Sequence, residues 1–210
     1  YQKKAWDESL EAYREVPRDS EFWHETLFES SWAMLRSGRF RSAMSNFHSL
    51  HSAFYEDTYL PESLLLRAIV YLYICKYDEM DKTLNLFSLI YRPIYRSVDN
   101  TLKTVTSSER LFTIMNDMMK DEKESGRSGA VKKDLGIPYV VAQKISREPD
   151  FQAVFQYVRR LIEEKKRIQA LGGGWSGSSI GQYSMKVLNT RLQKAKQRVG
   201  KIVHAHLITI

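Results

Sequence analysis

Apolar residues recur at steps of three and four along the first half of the chain. Three segments share the steps 3, 4 and 3, which place a large residue, a small or flexible one and two bulky ones on one helix face. The segments begin 34 and then 37 residues apart, the period of a helix–turn–helix repeat. Their members are Trp6, Ser9, Tyr13 and Val16; Phe40, Ala43, Phe47 and Leu50; and Tyr77, Met80, Leu84 and Phe87.

A further helix is predicted before each of the last two segments, over 21–36 and over 62–74. Pro61 suits the first turn of the later helix, where its missing N–H is not needed. Ser31 and Ala68 fall where the two helices of a repeat would cross, and small side chains there let the helix axes come close. The inward positions predicted on these two helices are Leu27, Ser31 and Met34, and Leu64, Ala68 and Tyr71.

In this register residues 1–94 resemble the tetratricopeptide repeat. The resemblance implies an all-α fold, a tetratricopeptide-like helical solenoid. The glycine of the interhelix turn is present as Gly38 but is replaced by Cys75 in the next repeat. The alanine expected in the second helix becomes Met80 in the third copy, which therefore departs most from the pattern. Leu27 and Leu64 stand where a tryptophan is common.

The first helix of each repeat in such a solenoid lines a concave groove. The predicted groove is mostly apolar, which favours an amphipathic helix or peptide as its ligand. That helix could belong to a partner protein or to the C-terminal half of this chain. The basic clamp of chaperone-binding members has no counterpart at these positions. The residues of the predicted groove are Glu25, Phe28, Trp32, Leu35, Leu65, Ile69 and Leu72.

The second half is predicted to be helical, with a charged, Gly/Ser-rich loop at 121–129. Two apolar seams at steps of three and four flank the glycine-rich turn 172–177 and indicate a long antiparallel helical hairpin. The sequence thus divides into repeats over 1–94, an irregular helical connection over 95–148 and a basic hairpin over 149–210. The seams are Phe151, Val154, Val158, Leu161, Lys165 and Ile168, and Met185, Leu188, Leu192, Ala195, Val199, Ile202 and His206.

Charge changes this picture at the C-terminus. The 210-residue chain carries +7, but residues 165–210 hold nine basic and no acidic residues, which leaves −2 on the rest. Arg191, Lys194, Arg198 and Lys201 form a basic stripe whose spacing suits an acidic protein or an anionic membrane surface. Nucleic acid is less favoured because the stripe lacks interleaved aromatic residues. The alternative is an ordinary solvated helix face.

Composition and motifs give no sign of catalysis. Ten glycines and five prolines in 210 residues argue against an all-β protein. The single cysteine cannot form an intrachain disulfide. His48 and His51 lie one helical turn apart, without a third metal ligand at a matching step. We therefore predict no catalytic residues, no metal and no cofactor.

The favoured function is a protein–protein interaction scaffold or adaptor, and the alternative is a peripheral module whose basic hairpin binds anionic lipid or nucleic acid. Three stretches carry a second resemblance: LFESSWA (27–33), SAMSNFHSL (42–50) and LPESL (60–64). They resemble bacterial cell-envelope tetratricopeptide lipoproteins of the gliding-motility type, which implies a periplasmic or outer-membrane-associated protein. The repeat motif alone leaves a cytoplasmic location open. The start at Tyr1 without Met indicates a fragment from which a signal or anchor could have been removed.

Overall fold

The computed structural model of the chain is built of α-helices. It describes residues 5–20, 22–55, 58–125 and 136–210, and within these ranges it contains ten α-helices and no β-strand. The predicted all-α class is therefore confirmed. The chain forms two compact units, Tyr1–Pro93 and Ile94–Ile210, which are described separately below.

Unit 1 begins with four helices and ends within a fifth. The predicted helix over 40–50 is confirmed with the same bounds, and the observed helices α2 and α4 match the predicted ones to within two residues at each end. In contrast, α5 continues well beyond the predicted segment that ends at Phe87. The elements are α1 (Trp6–Arg14), α2 (Trp23–Arg36), α3 (Phe40–Leu50), a short 3-10 helix (Ala53–Tyr55), α4 (Pro61–Tyr73) and α5 (Tyr77–Thr104).

The core of unit 1 lies between α2, α3 and α4, which pack as successive pairs. Phe47 of α3 is fully buried, together with Leu66 and Val70 of α4. Ser31 of α2 and Ala43 of α3 are also fully buried. Ser31 can be buried because its hydroxyl donates to a carbonyl of its own helix, so no polar group is left unsatisfied. Small residues at this place allow the α2 and α3 backbones to come close.

The turns after α2 and α4 share one geometry. Gly38 and Cys75 have φ angles of 76° and 58°. The residue after each donates its N–H to a carbonyl five residues earlier, Arg39 to Met34 and Lys76 to Tyr71, both at 2.8 Å. This is a common way to end a helix, and glycine usually occupies the left-handed position. Gly38 and Cys75, which the repeat register aligns, thus occupy the same place in two turns of the same geometry.

The last two helices of unit 1 are joined more loosely. In the ranges that the structure describes, α1–α2, α2–α3 and α3–α4 are close pairs, and α4–α5 is not. The place of Ala43 in α3 is taken in α5 by Met80, which is only half-buried. The distance between packed helices depends on the side chains at the contact, so a methionine there is expected to keep the axes further apart than an alanine would.

In unit 2 the long helix α10 packs against both α8 and α6, and α7 packs on α8 and α6. The core positions predicted on α8 and α10 include Phe151, Val158, Leu192 and Val199, which are all buried. The helices are α6 (Ser108–Ser125), α7 (Tyr139–Arg147), α8 (Pro149–Ala170), α9 (Gly173–Ser176) and α10 (Ser179–Thr209).

The predicted loop at 121–129 is wrong for its first five residues. Residues 121–125 continue α6. Their sequence, Asp-Glu-Lys-Glu-Ser, is rich in residues with high helix propensity, and charge alone does not end a helix. Residues 126–129 lie outside the described ranges.

The contact between α6 and α10 depends on Gly200. A Cβ atom at this position would lie 1.8 Å from the backbone oxygen of Ser108 and 2.8 Å from its Cα. The first residue of α6 therefore rests directly on the backbone of α10. Only glycine leaves room for this crossing.

Candidate functional site

The α4 part of the predicted groove is exposed. Leu65, Ile69 and Leu72 have 38%, 44% and 49% of their surface accessible. Their spacing of four and three residues puts them on one face of α4. Three large apolar side chains in a row on an open helix face form a surface that could contact another apolar surface.

The α2 part is less open. Phe28, Trp32 and Leu35 are half-buried and pack against the core cluster of α3 and α4. The Arg36 guanidinium lies 6.0 Å from the centre of the Trp32 ring, within cation–π range. Glu25 is exposed. These side chains therefore contribute to the core of unit 1 as well as to its surface.

Sequence reasoning missed that the apolar surface continues past α4. Tyr73, Ile74 and Tyr77 are 72%, 44% and 56% exposed. The Tyr73 ring is stacked on Phe40 with 6.0 Å between the ring centres. The sequence does indicate this surface. Residues 64–74 are apolar around nearly the whole helix, and since only one face can pack against the core, the others must be exposed.

A polar cluster between α3 and α4 was also missed. His51 Nε2 lies 2.8 Å from Ser63 Oγ, and the Ser63 hydroxyl donates to the carbonyl of Leu60 at 2.6 Å. Since that hydroxyl has a single hydrogen, His51 must donate its Nε2–H to Ser63. Its Nδ1 is then an acceptor, and it is buried without a hydrogen-bond partner in the described residues, like Arg67 Nε.

This environment keeps His51 neutral. Burial, followed by the positive charges of Arg67 and His48, lowers the pKa of His51 to about 4. Burial and Arg67 also lower the pKa of His48. The same positive charge disfavours a bound cation beside the two imidazoles. Within the described ranges no group of three His, Cys, Asp or Glu residues could hold a metal ion.

The predicted basic stripe lies on the open face of α10. Arg191, Lys194, Arg198 and Lys201 are all exposed, whereas Leu192 and Val199 on the other face are buried. The four cations span about 15 Å along the helix. None of the four has an ion-pair partner among the described residues.

A polar contact joins α8 and α10 at one end of the helix pair. Asp150, at the start of α8, lies 3.0 Å from Nε2 of His206 near the end of α10. Burial raises the pKa of Asp150, but hydrogen bonds from His206 and from the Phe151 N–H outweigh it and hold that pKa below its usual value. Both side chains are partly exposed, so the pair contributes little to stability.

Comparison of the chain with models of known protein families, with curated proteins and with solved structures gave no match. The tetratricopeptide-type architecture therefore stays a prediction from the repeat register. Across the described ranges, no helix has both the length and the apolar character that a membrane span requires.

Proposed function

We propose that the chain is a non-catalytic scaffold that binds the apolar face of an amphipathic helix from a partner protein. The observation that carries the proposal is the exposed row of Leu65, Ile69 and Leu72 on α4. Each of these side chains still has a third to a half of its surface to bury. Covering each one would contribute about 1 kcal/mol, and a helix with apolar residues at the same spacing matches the row.

The architecture that accompanies this function is part of the proposal. Unit 1 would be a short tetratricopeptide-like solenoid. The common geometry of the turns at Gly38 and Cys75 supports it, because repeats reuse the same local structure. In unit 2, α8 and α10 would form the antiparallel hairpin. The contact between Asp150 and His206 supports that arrangement, because it joins the start of one helix to the end of the other.

Site-specific photo-crosslinking tests the binding surface. A photoreactive side chain replaces Ile69 in the row or, as a control, Leu89, which is exposed on α5 outside it. We expect an adduct with a second protein from Ile69 alone, and we expect it to disappear when Leu72→Lys is added. An adduct between Ile69 and the chain's own second half would contradict the proposal, because the groove would then be filled internally.

A second candidate function rests on the basic stripe of α10. Four exposed, unpaired cations along one helix face fit an anionic membrane surface, an acidic protein or nucleic acid. Attraction of this kind weakens as salt screens the charges. In that case the basic stripe would bind the partner, and unit 1 would have only a structural role.

Vesicle sedimentation separates the two functions. The chain is mixed with vesicles of pure phosphatidylcholine or with added phosphatidylserine, at low and high salt. The stripe variant changes Arg191, Lys194, Arg198 and Lys201 to Gln. A control with the same charge change alters the exposed residues Arg41, Lys76, Arg92 and Arg110.

Binding that requires phosphatidylserine, falls with salt and is lost only in the stripe variant would support the second function. No sedimentation with either vesicle would count against a lipid role, and competition by an oligonucleotide would indicate nucleic acid.

The cell-envelope assignment is also a proposal, supported by the resemblance of the repeat sequences to envelope lipoproteins. Fractionation of source cells into cytoplasm, periplasm and membranes tests it, with an antibody to this chain as the probe. Recovery in the periplasmic or outer-membrane fraction is expected. Recovery in the cytoplasm alone would overturn the assignment.

A further inference from the structure

Unit 1 contains a cavity that the predicted groove does not use. It lies between α1, α2, α3 and the short 3-10 helix and has a volume of about 460 Å³. Sites for small molecules commonly occupy about 300–1,000 Å³. The cavity therefore has the size of a small-molecule site rather than of a packing defect.

Half of the residues that line the cavity are apolar or aromatic. Leu10, Leu27 and Met34 line it together with the rings of Tyr13, Trp23 and Tyr55. Leu10 is buried, and the three aromatic residues are half-buried. Aromatic walls favour a ligand with a flat apolar body, because rings stack on one another or meet edge to face.

Two arginines, Arg14 and Arg18, supply the charge of the cavity. Both are exposed, and neither has an ion pair or hydrogen bond among the described residues. The described lining contains no carboxylate. Guanidinium groups hydrogen-bond carboxylate and phosphate oxygens in a fork. The arginines are therefore free to bind an anionic group.

Four other polar side chains of the lining have already used their hydrogens. The hydroxyls of Thr26, Ser30 and Ser49 each donate to a carbonyl of their own helix. The side-chain amide of Asn46 donates to Ser30 Oγ at 3.1 Å and to the Leu27 carbonyl at 3.4 Å. These four side chains have little donor capacity left for an anion, whereas the guanidinium groups of Arg14 and Arg18 keep theirs. The anionic end of a ligand is therefore expected at the two arginines, with its apolar body inside.

We propose that this cavity binds a small organic anion, a flat apolar body ending in a carboxylate or phosphate. The proposal does not depend on the groove on α4, since none of the α4 residues lines the cavity. It adds a ligand-binding function to a chain otherwise interpreted as a scaffold.

Isothermal titration calorimetry with four probes tests the proposal on the full chain. The probes are 1-naphthoate, 1-naphthyl phosphate, the neutral 1-naphthalenemethanol and inorganic phosphate. We expect at least one naphthyl anion to bind, and the neutral alcohol and inorganic phosphate to bind at least tenfold more weakly. A preference for naphthoate indicates a carboxylic ligand, and a preference for naphthyl phosphate indicates a phosphate ester.

Two pairs of variants locate the binding. Arg14→Gln with Arg18→Gln should weaken binding of the naphthyl anion about tenfold or more, whereas Arg41→Gln with Arg92→Gln should not change it. Ser49→Phe should fill the cavity and weaken binding, whereas Ser45→Phe, one turn away and exposed, should not. Circular dichroism verifies that each variant remains folded.

Three outcomes would overturn the proposal. The first is that neither naphthyl anion binds the folded wild-type chain at millimolar concentration. The second is that the Arg14/Arg18 variant binds the naphthyl anion as tightly as the wild type does. The third is that inorganic phosphate binds as tightly as the naphthyl anions. Since the arginines are exposed, their replacement should leave the fold intact, so the second outcome can be measured.

Discussion

Replacing Gly200 by alanine tests how closely α6 and α10 pack. In an exposed helix interior this change stabilises by about 1 kcal/mol, because alanine has the higher helix propensity. Here the new Cβ would lie 1.8 Å from the Ser108 oxygen, where ordinary contact begins at 3.4 Å. The two backbones must therefore separate by more than 1 Å, and overpacking of this kind costs about 1–3 kcal/mol or more. After subtraction of the gain in helix propensity, we expect a net loss of about 1–2 kcal/mol.

The sign of the change in the free energy of unfolding tests the contact between Gly200 and Ser108. Urea unfolding followed by circular dichroism gives the free energy of unfolding for Gly200→Ala and for the control Lys201→Ala, which removes an exposed side chain on the next residue. The control should lie within about 0.5 kcal/mol of wild type. A gain in stability for Gly200→Ala would refute the close contact with Ser108, because propensity alone would then be acting.

Three further predictions concern the turn after α4, the buried histidine and the α8–α10 ion pair. Cys75→Gly should stabilise the chain by about 1 kcal/mol, since it relieves the strain of a left-handed non-glycine residue; an unchanged melting temperature would argue against strain at this turn. His51 has a folded pKa of about 4 against an ordinary 6.5, so the unfolded chain binds more protons between these values. The stability that neutral His51 contributes is therefore complete above pH 6.5 and is lost as the pH falls toward 4. With a discount for the partial exposure of His51, the loss between pH 7 and pH 5 should be about 1 kcal/mol. Urea unfolding at both pH values should find a smaller loss in His51→Gln, and an equal loss would exclude His51 as the source. Asp150→Asn should cost less than about 1 kcal/mol by the same assay, because both members of its pair with His206 are partly exposed; a larger loss would show that the pair is stronger than its exposure implies.

The helices of this protein were largely predictable because their signals are local. The bounds of α3, the proline at the start of α4 and the turn at Gly38 all follow from spacing and backbone preference over a few neighbouring residues. The buried seam of α10 follows from the same periodicity, as does the opposite placement of the basic stripe. The end of a helix was predicted wrongly where no helix-breaking residue marks it. The helix α6, for example, continues through residues 121–125.

The positions at which distant residues meet were decided by the tertiary structure. His51 follows the end of α3 and Arg67 lies in α4, and no spacing rule brings their side chains together. The same holds for Gly200 and Ser108, and for Arg14 and Tyr55 around the cavity. Periodicity fixes the face of each helix relative to its own axis, whereas the choice of neighbour depends on packing between elements far apart in the chain.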